Sequence, residues 1–257
     1  MGMTPLPVHI GPDRLAGSLY APVSGARAGA EAWLLPSPPG DDRKGAWLPL
    51  SRLARALAAR GDWALLMDLR GCGESPGEFE EADWDGWLAD IAAAADCLTK
   101  ASGAGRLVWW GGRAGARLAA EGAARAPEGV ARLVFWDAVF DVWHWRREWR
   151  RRSRFRLGAP AEALSDDDLD GYVFGPALSR QLAGRRDIPP RPEGVAARFL
   201  CLAASGRPSG PSIPWAAAWL AAVEAVAESP FWLAADPVEA SALISATLAL
   251  PPERTGE

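Results

Sequence analysis

In Trp109-Trp110-Gly111-Gly112-Arg113-Ala114-Gly115-Ala116-Arg117 an apolar run breaks at glycines and continues as a helix-forming segment. A strand that turns sharply between glycines into a helix is the frame of a nucleophile elbow. Its middle residue is a serine, and neighbouring backbone N–H groups receive an oxyanion. Here the middle residue is Arg113. A guanidinium has no nucleophilic lone pair and stays protonated at physiological pH, so the frame persists without its reactive atom. Two roles remain. The free N–H groups and dipole of a helix start favour an anion, and a planar guanidinium there adds a two-point clamp. On that reading Ser37, Gly112, Arg113 and Ala114 bind an anionic small molecule such as a carboxylate or phosphate. On the other, Arg113 pairs internally with Asp68 or Asp137 and fills the space of the missing serine.

A displaced nucleophile is the enzymatic alternative. Cys72 stands in a glycine turn, Asp137 ends a strand, and His144 follows seven residues later; a Cys–His pair can generate a thiolate for hydrolysis or acyl transfer. The structural alternative makes Cys72 a small residue of the turn and His144 a partly exposed helix residue. Whether the chain is an enzyme at all is left open by these residues.

The most unusual composition is Trp143-His144-Trp145-Arg146-Arg147-Glu148-Trp149-Arg150-Arg151-Arg152-Ser153-Arg154-Phe155-Arg156. Helical spacing puts Trp145 and Trp149 on one face. With Arg146 and Arg150 they form a candidate for peripheral contact with an anionic membrane, indoles at headgroup depth and arginines on the lipid charge. The alternative is a helix whose tryptophans cover the body and whose arginines are solvated or paired with the acids at 166 to 168.

These residues need elements to position them. A weak alternation over residues 14 to 22 reads as an early edge strand, and Glu31–Leu35 as a buried one ending in the loop 36 to 42. From Trp47 the apolar residues Leu50, Leu53, Ala54 and Leu57 keep helical spacing, with Gly61 as the stop. Trp63–Met67 predicts a strand that ends in Asp68-Leu69-Arg70-Gly71-Cys72-Gly73-Glu74-Ser75, a turn tied by Asp68 and Arg70. Trp84, Trp87, Leu88, Ile91, Ala95 and Leu98 mark a helix with Asp83 as its cap. Arg106–Trp110 and Val130–Trp136 read as strands around the helix Arg113–Arg125. A helical cap is expected over about 140–192. A strand at Ala197–Leu202, a helix around Trp215 to Val226, a strand at Pro230–Leu233 and a helix from Val238 to Leu250 complete the pattern. Alternation at this interval predicts an α/β protein with a mostly parallel sheet and helices on both faces. Ser37, Cys72, Arg113 and Asp137 should then share the rim at the carboxyl ends of the strands, where such sheets bind ligands.

At 257 residues the chain suits one α/β domain, 1–257, with the cap as an insertion. A net charge of −4 argues against nucleic acid as a partner. Three dispersed cysteines and two histidines give neither a disulfide framework nor a zinc site, so no metal or cofactor is expected and a reducing compartment fits. No basic leader or long apolar span is evident, and the expected location is cytoplasmic, or peripheral to the inner membrane if the Arg/Trp segment binds lipid.

The set Asp68-x-Arg70-Gly71-x-Gly73-x-Ser75 followed by Gly111-x-Arg113-x-Gly115 resembles α/β-hydrolases. Gly71–Phe79, Trp84-Asp85-Gly86-Trp87-Leu88, the Arg-Ala-Gly elbow, Gly171-Tyr172 and Pro230-Phe231-Trp232 narrow the resemblance to the exosortase A system-associated hydrolase 2 family. It covers most of Trp33 to Leu250. It implies an α/β-hydrolase fold in a bacterial protein encoded with exopolysaccharide production and PEP-CTERM protein sorting, whose partners belong to that system. A working triad of the fold runs nucleophile, acid, histidine. The acid position falls in Ala203-Ala204-Ser205-Gly206-Arg207-Pro208 and the histidine position in Ala234-Ala235-Asp236-Pro237; neither holds the expected residue, and no histidine follows His144. The resulting expectation is a triad-less hydrolase relative acting as a non-catalytic ligand-binding or scaffold component, a pseudoenzyme.

Overall fold

The computed structural model describes residues 4–157, 167–203, 210, 212–233 and 238–251. The order is β1 (Leu6–Ile10), β2 (Leu15–Tyr20), β3 (Ala32–Pro36), α1 (Asp42–Arg60), β4 (Trp63–Met67), α2 (Trp84–Ser102), β5 (Leu107–Gly112), α3 (Gly115–Arg125) and β6 (Val130–Trp136). The cap follows with α4 (Val142–Leu157), the two-residue strands β7 (Asp168–Leu169) and β8 (Tyr172–Val173), and α5 (Pro176–Ala183). Then come β9 (Ala196–Leu202), α6 (Ser212–Ala218), β10 (Ala222–Val226), a 3-10 turn at Phe231–Leu233, and α7 (Ser241–Ala249).

The sheet has eight strands in the order β1-β2-β4-β3-β5-β6-β9-β10. β3, β4, β5, β6, β9 and β10 run parallel, while β1 and β2 pair antiparallel at one edge. Period-two side chains divide the core. Ala32 and Leu34 of β3 and Leu107 and Trp109 of β5 meet α2, α3 and α6 on one face. Trp33, Leu35, Val108 and Trp110 meet α1 and α7 on the other. Because both faces are covered, the central strands read as continuous apolar runs.

Local signals account for most boundaries. The Asp83 carboxylate accepts the Gly86 N–H at 2.9 Å and starts α2, and Gly61, at φ 94°, stops α1 in the left-handed region that favours glycine.

Several expectations need correction. The helix foreseen from Trp47 begins earlier, at Asp42, and tolerates Pro49 in its interior. The early edge strand has a partner, β1, that was not foreseen. The helix predicted around Trp215 to Val226 is a short helix followed by a strand: Ala222–Val226 pairs in parallel with β9, so tertiary pairing overrides the helix preference of its alanines and glutamate. The strand predicted at Pro230–Leu233 is instead the 3-10 turn, packed on α1. The cap contains the β7–β8 hairpin beside its helices. No helix among the described residues is long and apolar enough to cross a membrane.

Gly45 explains how the 3-10 turn sits so close to α1. A Cβ built there would lie 2.3 Å from the Phe231 carbonyl oxygen. Gly45→Ala should therefore push the turn off the helix and cost about 1–3 kcal/mol, read as a lower urea midpoint. An unchanged midpoint would show that the two backbones are not in tight contact.

Candidate functional site

β5 runs into the turn at Gly111–Gly115, and α3 starts directly after it. Arg113 has φ 52°, the strained conformation of an elbow, and a Cβ at Gly111 would lie 2.6 Å from the Ala116 Cα. The next strand ends in a second positive-φ residue, Asp137 at 45°. The two brace each other, with the Arg113 N–H donating to the Trp136 carbonyl at 3.2 Å and the Val139 N–H to the Arg113 carbonyl at 3.0 Å.

The Arg113 side chain turns inward and is only 2% exposed. Its Nη2 donates to Glu148 Oε2 at 2.6 Å, its Nη1 to Asp137 Oδ2 at 3.4 Å, and its Nε lies 3.6 Å from Asp42 Oδ2. The Trp232 ring closes the remaining side, its centroid 4.2 Å from Cζ. One cation thus serves carboxylates from α1, the β6 end and the cap. An isolated buried guanidinium would be very costly, and this ring of acids is what makes its burial tolerable.

The cap helix arrives at the site by helical arithmetic. Trp145, Glu148, Trp149, Arg152 and Arg156 fall at i, i+3, i+4, i+7 and i+11, one stripe facing the body. Trp145 Nε1 donates to Asp42 at 2.8 Å, Arg152 to Asp42 at 2.8 Å, and Arg156 to Asp41 at 2.6 Å. Trp149 donates to Asp170 at 3.0 Å, and its ring lies over Gly40, where a Cβ would be 2.2 Å away. Beneath the far end of the cap, Arg117 donates to Glu121, to Asp187 and to the Phe140 carbonyl.

The rim strands place Ser37, Cys72, Arg113 and Asp137 after β3, β4, β5 and β6. Of these, Arg113 and Asp137 are joined by an ion pair. Of the two internal partners foreseen for Arg113, Asp137 is found; Asp68 instead takes Arg43 in a two-point pair at 2.7 Å on each oxygen. Arg70 holds Asp90, and the Ser75 hydroxyl donates to the Asp68 carbonyl, so this turn is structural.

Three candidate groups are corrected by burial and partnership. Ser37, Gly112, Arg113 and Ala114 all lie beneath the surface, and the donors of Arg113 face the protein's own acids, so the elbow presents no open anion clamp. Cys72, Asp137 and His144 do not form a triad. Cys72 is 3% exposed and burial pushes its thiol up to about 11, while His144 is exposed on α4. No contact among the described residues joins Cys72 to either. Trp145 and Trp149 have no exposed surface, which removes both indoles from any membrane interface; Arg146 pairs with Asp167 at 2.6 Å and sits over Phe174, and Arg150 is kept from its full basicity by burial and by Arg154 and Arg146. Residues 204–208 and 234–237, where a triad acid and histidine would stand, lie outside the described residues, as does Asp166. Among the described residues no group of three or more His, Cys, Asp or Glu is placed to hold a metal ion.

Sequence reasoning missed Asp42, Glu148 and Trp232. Glu148 carried a signal: it is the only acid in the arginine run, on the same helical stripe as Trp145 and Trp149. Asp42 and Trp232 carried none: no local pattern ties Asp42 to Arg113, and Trp232 sits on a 3-10 turn that packs against Gly45 of α1.

The eight-stranded, mostly parallel sheet with helices on both faces has counterparts among solved structures. Est1E from Butyrivibrio proteoclasticus superposes with a TM-score of 0.61 at 13% identity, over 95% of this chain and 94% of that one. The thioesterase domain from the curacin biosynthetic pathway gives 0.59 at 16% identity, over 97% and 100%. This is the α/β-hydrolase fold. Mouse alpha/beta hydrolase domain-containing protein 10 aligns likewise, with a TM-score of 0.55 at 13% identity over 95% and 97%. Residues 49–165 match the family model of serine aminopeptidase, S33. Among curated proteins no sequence matches the chain. In the α/β-hydrolase fold the elbow residue is the nucleophile, and Arg113 occupies that position here.

Asp137 reports on this cluster. Its carboxyl is pushed from 3.8 up to about 6, first by burial, with Glu148 adding to the rise and Arg113 opposing it. Desolvation prevails because Arg113 is shared and lies nearer Glu148. A carboxyl whose folded pKa is raised holds more protons than the unfolded chain between those two values, so its contribution falls as pH rises through that window. Wild type should lose stability relative to Asp137→Asn between pH 4 and about 6, by on the order of 3 kcal/mol, with the difference flat at higher pH. Urea melts across pH measure it; a difference independent of pH would show that Asp137 titrates normally.

Proposed function

We propose that the protein is a non-catalytic member of the α/β-hydrolase fold, a ligand-binding or scaffold component. The sequence resemblance to the exosortase A system-associated hydrolase 2 family supports placing it with exopolysaccharide production and exosortase-linked protein sorting. The observation that carries the reading is Arg113 at the nucleophile position, held by Glu148, Asp137 and Asp42 and capped by Trp232. Serine hydrolysis needs an attacking oxygen and a general base. The elbow supplies a cation in place of the oxygen, and the chain has no histidine after His144. The thioesterase domain that shares this fold keeps its activity as its own, because chemistry resides in site residues rather than in architecture.

The purified chain should release p-nitrophenol from p-nitrophenyl acetate and butyrate at the uncatalysed rate. Arg113→Ser should stay at that rate, since a restored hydroxyl still lacks its base. Turnover by the wild type that disappears in Cys72→Ala would overturn the reading in favour of a displaced thiol. The thiol itself gives a second check. Native labelling by Ellman's reagent at pH 7 should be the same in wild type and Cys72→Ser, because Cys72 reacts only on unfolding.

A further inference from the structure

Beside the sealed elbow lies a groove of about 900 Å³ between the start of α1, the flank of α4 and the 3-10 turn. Its walls mix two chemistries. Phe155, Trp232 and Leu233 form an apolar side, with Phe155 90% and Leu233 57% exposed. Lys44, Arg151 and Arg156 form a cationic rim. The acids near this rim are less exposed than its cations: the Asp41 side chain is 4% and that of Glu148 23% exposed, against 59% for Lys44 and 49% for Arg156.

Most of these cations are already committed. Arg156 holds Asp41 and Asp170, Arg152 holds Asp42 and the Trp232 carbonyl, and Lys44 pairs with Asp41 beneath the ring of Tyr172. Glu148 is taken by Arg113. Arg151 differs: it is exposed and makes no hydrogen bond or ion pair with any described residue. It stands one helical turn before Phe155, at the mouth of the apolar wall. One uncommitted guanidinium therefore adjoins large apolar side chains left in water, an arrangement that marks a binding groove.

We propose that this groove binds a single-chain anionic amphiphile, with a carboxylate or phosphate head on Arg151 and an alkyl chain against Phe155, Trp232 and Leu233. One free cation suits one anionic head, and the convergence of the apolar groups on a concave wall suits a chain better than a flat bilayer. A cationic amphiphile would meet the rim of Lys44, Arg151 and Arg156. The inference rests on the non-catalytic reading and gives its ligand a chemical class: with the elbow sealed, binding moves to the groove on the outer side of Trp232, the ring that covers Arg113.

Calorimetric titration of the full chain tests it, using dodecanoate and dodecyl phosphate below their micelle-forming concentrations, with dodecyltrimethylammonium as the control. Both anions should bind at one site and the cation should not. Arg151→Glu and Phe155→Ser should each weaken binding roughly tenfold, through the lost charged hydrogen bond and the lost apolar contact. Their thermal midpoints should match wild type, because both side chains are exposed. Equal binding of the cationic amphiphile, or unchanged affinity in both variants, overturns the proposal. So does co-sedimentation with phosphatidylglycerol vesicles by a protein that ignores the monomeric amphiphiles, which would assign the surface to a membrane. Hydrolysis of p-nitrophenyl laurate, followed in parallel, reports separately on the non-catalytic reading: turnover with tight dodecanoate binding sinks that reading alone, and absence of both binding and turnover sinks this one alone.

Discussion

A single buried guanidinium shared by three carboxylates holds the rest of the site in place. Arg113 takes Glu148 from the cap, Asp137 from the neighbouring strand and Asp42 from the first helix. Each partner belongs to a different element, so the cation ties sheet, α1 and cap together at the point where a hydrolase would keep a reactive hydroxyl and room for substrate. Removing one member of such a network leaves its partners charged and unpaired in a low-dielectric interior, which costs more than the pair itself contributes.

The neighbouring arginines repeat this arrangement at lower burial. Arg152 and Arg156 take Asp42 and Asp41, and Arg43 takes Asp68 on the adjacent turn. The arginine run on α4 is therefore divided by helical geometry. The face bearing residues 145, 148, 149, 152 and 156 docks on acids and apolar surface of the body, while residues 147, 151 and 155 remain exposed. An ion-paired seam thus surrounds the elbow, and a mixed apolar and cationic groove lies beside it.

The sheet, the two covering layers and the elbow were legible because they rest on local signals: period-two and period-3.6 apolar residues, the Asp83 cap, the glycines of the turn. What failed depended on distant partners. Ala222–Val226 lies in an alanine-rich stretch that favours helix and became a strand because β9 offered an unpaired edge, and Phe231–Leu233 has strand composition and became a turn because Gly45 let it press on α1. The tryptophans of α4 looked amphipathic against water, yet the face they cover is the body's own, lined with Asp42 and Gly40. Arg113 was found from sequence, and one of its acids with it; Asp42 lies 71 positions away in the chain and Glu148 35, so only the folded topology brings them to it.

Arg113 is a structural cation that joins cap to body through Glu148. A double-mutant cycle between Arg113→Met and Glu148→Gln, read by urea unfolding at pH 7, measures that link directly. The double variant should be more stable than the sum of the single losses implies, with a coupling of roughly 2 kcal/mol or more. Losses that simply add would contradict it, since Arg113 and Glu148 would then not depend on each other for their burial.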